Sequence, residues 1–209
     1  EARFVEAFEI FADKVTEKLI VCHEISQKFD KRTNLETYGI EQSGLQLTHS
    51  ASQIVWSSSG LKFDLNLNNK ETILKNISVN MMGLHNLENI IAASALAYNA
   101  GVGIDLIKSR LASFTGIYRR FQIHTHSSTS VYIDDYAHHP TEISSVLEGL
   151  RQVYLSRHLI SIFQPHRYSR IKNLKREFTF SFSKSNKVIL CPVYSAGEKK
   201  DKIYNQNQF

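Results

Sequence analysis

Apolar residues recur at helical spacing at the start of the chain, at Phe4, Phe8, Phe11 and Val15, which predicts an amphipathic helix over residues 3–17. A short apolar run predicts a strand over 18–22. Alternating apolar and polar positions then predict strands over 45–49, 53–57, 61–68 and 72–79, with turn signals at 57–60 and 68–71. Together these read as an antiparallel extension. Beyond His85 the period lengthens. Residues 89–98 are rich in Ala, Ile and Leu and stop at Gly101, which predicts a helix with a glycine at its C-terminal end. Asp105 stands where it would cap a second helix over 106–112. The pattern breaks at 114–118, which divides the chain into domains 1–117 and 118–209.

The second domain alternates strand and helix. Strands are predicted over 120–125 and 131–134 around a Ser-rich turn, and a helix runs from Pro140 to about Tyr154. A continuous apolar strand, 158–163, a helix, 171–183, and a strand, 187–191, follow. Such alternation predicts an α/β fold with a doubly wound parallel sheet. Ligands bind such sheets beyond the carboxyl ends of the strands, and right-handed crossovers bring successive loops to one edge. Segments 134–140, 164–170 and 194–198 are therefore expected to converge.

Composition adds little to this picture, but charge adds something. The 209 residues are 42% hydrophobic and 22% charged, ordinary for a globular chain rather than a disordered or collagenous one. No apolar run approaches a membrane span, and Cys22 and Cys191 form no CxxC pair; the expected compartment is the reducing cytoplasm. Residues 1–117 carry 11 Lys and Arg against 13 Asp and Glu, and residues 118–209 carry 14 against 7. A basic second half suits an anionic partner, whether a phosphorylated small molecule or nucleic acid, and equally a solvated basic surface. The opening on Glu1 and the stop at Phe209, soon after a predicted strand, suggest part of a longer protein.

The converging loops hold the candidate chemistry. Asp134-Asp135-Tyr136-Ala137-His138-His139-Pro140 leads into a helix, whose N-terminus is expected to offer backbone N–H groups to an anion. Gln164-Pro165-His166-Arg167-Tyr168-Ser169-Arg170 adds two guanidiniums suited to bidentate recognition of carboxylate or phosphate. A metal-dependent hydrolase built on Asp134, Asp135, His138 and His139 is an alternative, as is a nucleic-acid-binding module. His124 and His126 read as structural, and His23-Glu24 lacks the second histidine of a zinc-protease helix.

Three segments carry a family resemblance. Gly83-Leu84-His85-Asn86-Leu87-Glu88-Asn89 resembles the GxHNxxN nucleotide segment of the Mur ligases, and Arg119-Arg120-Phe121 resembles the start of their third domain. DDYAHHPTE at 134–142 and QPHRYSR at 164–170 resemble the loops of the alanine-adding member. The resemblance implies the end of a central P-loop-type ATPase domain, with antiparallel strands, followed by most of a Rossmann-like C-terminal domain. It implies ATP-driven joining of L-alanine to UDP-N-acetylmuramate through an acyl phosphate, in bacterial peptidoglycan synthesis, with no nucleic-acid or membrane partner. His85, Asn86 and Asn89 would then lie near ATP, the first two also capping the following helix. Arg119 and Arg120 would reach the phosphates and Asp135 the ribose, with Asp134 the less certain of that pair. Tyr136 and His138 would sit between nucleotide and muramyl substrate. His166, Arg167 and Arg170 would hold the alanine carboxylate. No GxxxxGK[ST] occurs in the chain, so the phosphate loop and the Mg2+ ligands are expected mainly upstream, and the chain alone is expected to be inactive. Pro192 stands where the family often has an acidic residue. Glu198 fits the family's AGE triplet without an implied role.

Overall fold

Hydrophobic periodicity and hydrogen-bonded ladders divide the chain into two units, Glu1–Thr115 and Gly116–Phe209, in a computed structural model that describes residues 2–57 and 60–199. Each unit mixes helix and strand, the α/β class that the sequence predicts.

The first unit opens with helix α1 (Ala2–Asp13), shorter than the predicted 3–17. Turn hydrogen bonds from Lys14 to Phe11 and from Val15 to Ala12 end it. Ala12 is buried, whereas Phe8 and Phe11 are 52% and 63% exposed, so the predicted apolar stripe lies largely at the surface. Strands β1 (Leu19–Cys22), β2 (Leu35–Ile40), β3 (His49–Ser57), β4 (Gly60–Leu67) and β5 (Thr72–Val79) form a sheet in that order. A four-residue helix, α2 (His23–Ser26), follows β1. The pairs β1–β2 and β2–β3 are parallel, and β3–β4 and β4–β5 are antiparallel. The sheet is therefore mixed, not the antiparallel array expected. Strand β2 was not anticipated because its buried positions are Glu36 and Gly39, which give no apolar alternation. Residues 45–47 lie in a loop; the strand there begins at His49.

Bulges explain why β3 reads as two strands. Three steps along β3 from Ser52 to Val55 match two along β4 from Asp64 to Lys62, and Gln53 takes the left-handed φ of 53°. In β5, Asn76 does the same at φ 56°, its N–H donating to Asp64 Oδ1 at 2.8 Å. That extra residue lets both Leu74 and Ile77 face the core. The core joins them to Leu61, Phe63, Leu65 and Leu67, covered by α3 (Leu84–Asn99) through Leu87, Ile90 and Ile91. Burying each such side chain contributes about 1.5–3 kcal/mol. The next helix, α4 (Ile104–Ser113), takes Gly103 as its N-cap; Asp105 lies inside the first turn instead of capping it.

A buried carboxylate ties these layers together. Glu36 Oε2 accepts from His49 Nε2 at 2.8 Å and from Asn99 Nδ2 of α3 at 2.9 Å, while Oε1 meets Lys18 Nζ at 2.8 Å. His49 Nδ1 accepts from the Asn68 N–H, which leaves Nε2 to carry the proton toward Glu36. Burial alone would raise the Glu36 carboxyl. Hydrogen bonds from Lys18, His49 and Asn99 outweigh it and hold the group below its ordinary range.

In the second unit, β6 (Gln122–His126) and β7 (Val131–Asp134) form an antiparallel hairpin, and β8 (Ile160–Phe163) and β9 (Lys187–Leu190) form a parallel ladder. Helix α5 (Pro140–Val153) buries Ile143, Val146, Leu147 and Leu150. The predicted helix 171–183 is two helices, α6 (Tyr168–Asn173) and α7 (Lys175–Ser181), broken at Leu174 with φ −120° and ψ 27°. Phe178 of α7 packs on Phe163 of β8, ring centroids 5.7 Å apart. Part of the basic surplus is structural. Arg151 donates to the Lys184 and Arg157 carbonyls at 2.8 and 2.7 Å and also to Asn186 Oδ1. Arg157 in turn donates to the Ser128 carbonyl at 3.1 Å and stacks over Tyr154. No helix among the described residues is long and apolar enough to cross a membrane.

Trp56, the one tryptophan of the chain, reports on the first unit alone. Glu36→Gln is expected to lower that unit's unfolding free energy by about 2 kcal/mol, read by Trp56 fluorescence in urea. Because the folded carboxyl lies below its unfolded value, its stabilisation is full above the ordinary glutamate range and is lost as pH falls through the folded value. The variant is therefore expected to show a flatter loss of stability in acid; equal slopes would contradict the network. In the second unit, Arg151→Lys cannot reproduce the three-way fork and is expected to cost about 1–3 kcal/mol, read by amide exchange at Phe163 and Leu190.

Candidate functional site

The chain turns sharply at Arg119-Arg120-Phe121, with left-handed φ of 56° at Arg119 and 52° at Phe121. One acceptor and one donor on the loop after β7 hold that turn. Asp135 Oδ2 accepts from the Phe121 N–H at 2.8 Å and Oδ1 from the Ala137 N–H at 2.7 Å. The Arg119 carbonyl receives the Tyr136 N–H at 2.7 Å. Phe121 anchors the turn by its buried ring. Arg119 Nε then lies 3.2 Å from Asp134 Oδ2, and both guanidiniums stack over the half-exposed Tyr136 ring, at 5.1 Å for Arg119 and 5.9 Å for Arg120.

The N-terminus of α5 differs from expectation. Glu142 Oε2 accepts the His138 and His139 N–H groups at 2.9 and 3.1 Å, and His139 Nδ1 accepts from the Thr141 N–H at 3.4 Å. Pro140 has no N–H to give. This capping box uses the donors that were expected to meet an anion. Burial alone would raise the Glu142 carboxyl, but these two N–H groups, with the charges of His138 and Arg120, hold it low. His138 Nδ1 lies 3.0 Å from the Tyr136 carbonyl, so the ring is fixed by its own loop.

The loop after β8 carries its arginines on a strained backbone. Arg167, the N-cap of α6, has φ 70° and ψ 129°, a region disfavoured for any side-chain-bearing residue and costing on the order of 1–3 kcal/mol. The segment after β9 braces it. Tyr194 N–H donates to the Pro165 carbonyl at 2.8 Å, and Arg167 N–H donates to the Tyr194 carbonyl at 2.9 Å. Arg170 Nη1 approaches His166 Nδ1 at 3.4 Å. Burial, then the Arg170, Arg167 and His138 charges, push the His166 imidazole below its ordinary value against the opposing Glu198 charge.

The three predicted segments do meet. Ring centroids of Tyr136 and His138 lie 5.4 Å apart, His138 and His166 6.1 Å, and His166 and Tyr194 5.3 Å. An aromatic row thus runs from the Arg119-Arg120 turn to the Arg167-Arg170 turn. Asp134, Asp135, His138 and His139 are each engaged with a different partner, and among the described residues no group of three or more His, Cys, Asp or Glu side chains is placed to hold a metal ion. Glu142, Tyr194 and Glu198 were not anticipated as site residues. The E that closes HHPTE, three residues after His139, was a readable capping signal; Tyr194 carries no local signal of its own.

His85, Asn86 and Asn89 belong to the other unit, in the first turns of α3. The N-cap there is Gly83, at φ 97°, with no side-chain hydrogen bond, so neither His85 nor Asn86 caps the helix. Buried Asn86 instead donates from Nδ2 to the Met82 carbonyl at 2.6 Å. A Cβ on Gly83 would lie 2.8 Å from the His85 ring, which makes glycine necessary on two counts. His85 is half-buried and Asn89 exposed.

Comparison with known proteins agrees with these motifs. Residues 119–208 match the family model described as Mur ligase, glutamate ligase domain. A UDP-N-acetylmuramate–L-alanine ligase of Pelagibacter ubique is 40% identical over 98% of this chain and 46% of its own length. One from Lactobacillus delbrueckii is 33% identical over 94% of the chain and 44% of its length, so the chain spans a little under half of these relatives. The crystal structure of UDP-N-acetylmuramate-alanine ligase from Thermotoga maritima superposes with a TM-score of 0.71 at 26% identity, covering 92% of this chain and 41% of that one. With GxHNxxN, DDYAHHPTE and QPHRYSR on the elements described and the similarity running the length of the chain, this protein belongs to the Mur ligase family.

Proposed function

We propose that this chain forms part of an ATP-dependent ligase that joins L-alanine to UDP-N-acetylmuramate in peptidoglycan precursor synthesis, in the bacterial cytoplasm. The observation that carries the reading is the rim itself. Two arginine turns, one at each end of a row of aromatic rings, suit a phosphorylated nucleotide at one end and a carboxylate at the other. The relatives that bear this activity in their names share the chain over nearly its whole length.

Amide formation of this kind needs an anchored carboxylate, a free amine and neutralised phosphate charge. Arg167 and Arg170 hold the L-alanine carboxylate, with His166 beside Arg170 as an uncharged ring that does not repel the incoming ammonium. Arg119 and Arg120 face the phosphates of ATP, Arg119 exchanging its exposed pairing with Asp134 for the ligand. Asp135 keeps lone pairs for the ribose beyond the two N–H groups it accepts. Tyr136 and His138 stand between the two reactants. In the first unit, this reading assigns His85 and Asn89 to ATP, and Asn86 shapes the Gly83 turn through Met82. ATP supplies the driving phosphoryl group. The Mg2+ that accompanies it finds no ligand cluster among the described residues, and this reading assigns its ligands elsewhere.

In the full-length protein, phosphate release is expected to require ATP, UDP-N-acetylmuramate and L-alanine together, while the 209-residue chain alone, which has no GxxxxGK[ST], releases none. Arg167→Ala is expected to raise the KM for L-alanine by about 30–100-fold, the loss of one charge-assisted contact, with the KM for ATP within about twofold. Equal rises in both would remove the amino-acid assignment of this turn.

A further inference from the structure

The structure assigns Glu198 as a positioning residue: its carboxylate closes a brace that holds the Arg167 turn in its strained conformation and thereby aims Arg167 and Arg170. The brace is built by the chain itself. Ala196 and Gly197 are both left-handed, at φ 50° and 87°, and the Glu198 N–H donates to the Ser195 carbonyl at 3.0 Å, closing a tight turn. Space does not require the glycine, since a Cβ on Gly197 would meet nothing within 4 Å; the backbone angle does. This reversal sends the Glu198 side chain back to α6, where Oε2 accepts the Ser169 N–H at 3.0 Å and Oε1 the Ser169 hydroxyl at 2.5 Å.

Ser169 sits in the first turn of α6, where no helical carbonyl is available to its N–H. Glu198 is the acceptor given to that group, and it lies two residues beyond Arg167. On the other side of Arg167, Tyr194 exchanges hydrogen bonds with Pro165 and Arg167 and stacks on His166 at 5.3 Å. The strained residue is thus fixed at both flanks by one segment, 194–198. Its carboxylate also sets the charge of the turn. Glu198 carries its negative charge beside Arg167 and opposes the effect of the cationic groups on His166, so it offsets part of the positive charge of the turn. Its pKa is held low first by the Ser169 hydroxyl, then by the Ser169 N–H and Arg167, so it stays ionised at neutral pH.

The test has two arms. In the 209-residue chain, Glu198→Ala is expected to lower amide-exchange protection at Ser169 at least tenfold and to shift the His166 ring resonances. Phe163 and Leu190 in the β8–β9 ladder are expected to be unchanged, and Glu198→Gln, which keeps one acceptor, is expected to fall between. Unaltered protection at Ser169 overturns the brace. The second arm rests on the ligase reading and uses the full-length protein. There Glu198→Ala is expected to raise the KM for L-alanine about tenfold, with kcat and the KM for ATP within twofold. Ser169→Ala is expected to do part of the same, and the double variant no more than Glu198→Ala alone. Loss of Ser169 protection with an unchanged KM for L-alanine overturns the positioning role. Absence of any L-alanine dependence in the unaltered enzyme defeats the ligase reading instead, and the exchange arm then decides the brace by itself.

Discussion

Asp135 accepts backbone N–H groups from two separate stretches, Phe121 and Ala137, and the geometry of the Arg119-Arg120 end of the rim depends on that bridge. With the Tyr136–Arg119 backbone bond, it holds the left-handed 119–121 turn against the loop after β7. The guanidiniums of Arg119 and Arg120 lie over Tyr136 only because the turn and the loop are locked in register. A carboxylate is suited to such a task, since its two oxygens can serve two donors and the charge strengthens both bonds.

The same device recurs along the rim. Glu142 gathers the N–H groups of His138 and His139, and Glu198 gathers the two donors of Ser169. The donors that Glu142 and Glu198 serve hold both carboxyls below the ordinary glutamate pKa, so both remain charged and each offsets part of the positive charge around it. The rim is therefore less basic than its count of arginines and histidines suggests. What remains is positive charge concentrated at its two ends. In the first unit Glu36 of β2 plays the equivalent part, linking β3 and α3 through His49 and Asn99 and the residue before β1 through Lys18.

In the second unit, the left-handed residues gather at the rim. Arg119, Phe121, Arg167 and Ala196 all take positive φ without being glycine, and they surround the row of rings from Tyr136 to Tyr194. Such conformations persist only where neighbours over-determine them. Here the neighbours are the carboxylate clamps, which links the electrostatics of the rim directly to its shape.

Much of this was legible in the residues alone. Alternation and helical spacing located β7, α5, β8 and β9 to within a residue or two, and topology brought 134–140, 164–170 and 194–198 to one edge, because a strand's end and its handed crossover are local properties of the chain. The motifs identified the family for the same reason: they are contiguous. Strand β2 and the bulges at Gln53 and Asn76 escaped because their buried or left-handed residues give no periodic signal, and the break at Leu174, with φ −120°, falls on a residue type that favours helix. Which carboxylate serves which donor was decided only by tertiary structure. Asp135 with Phe121, and Glu198 with Ser169, are partners brought together by turns whose positive φ at Arg119, Phe121 and Ala196 no residue type announces.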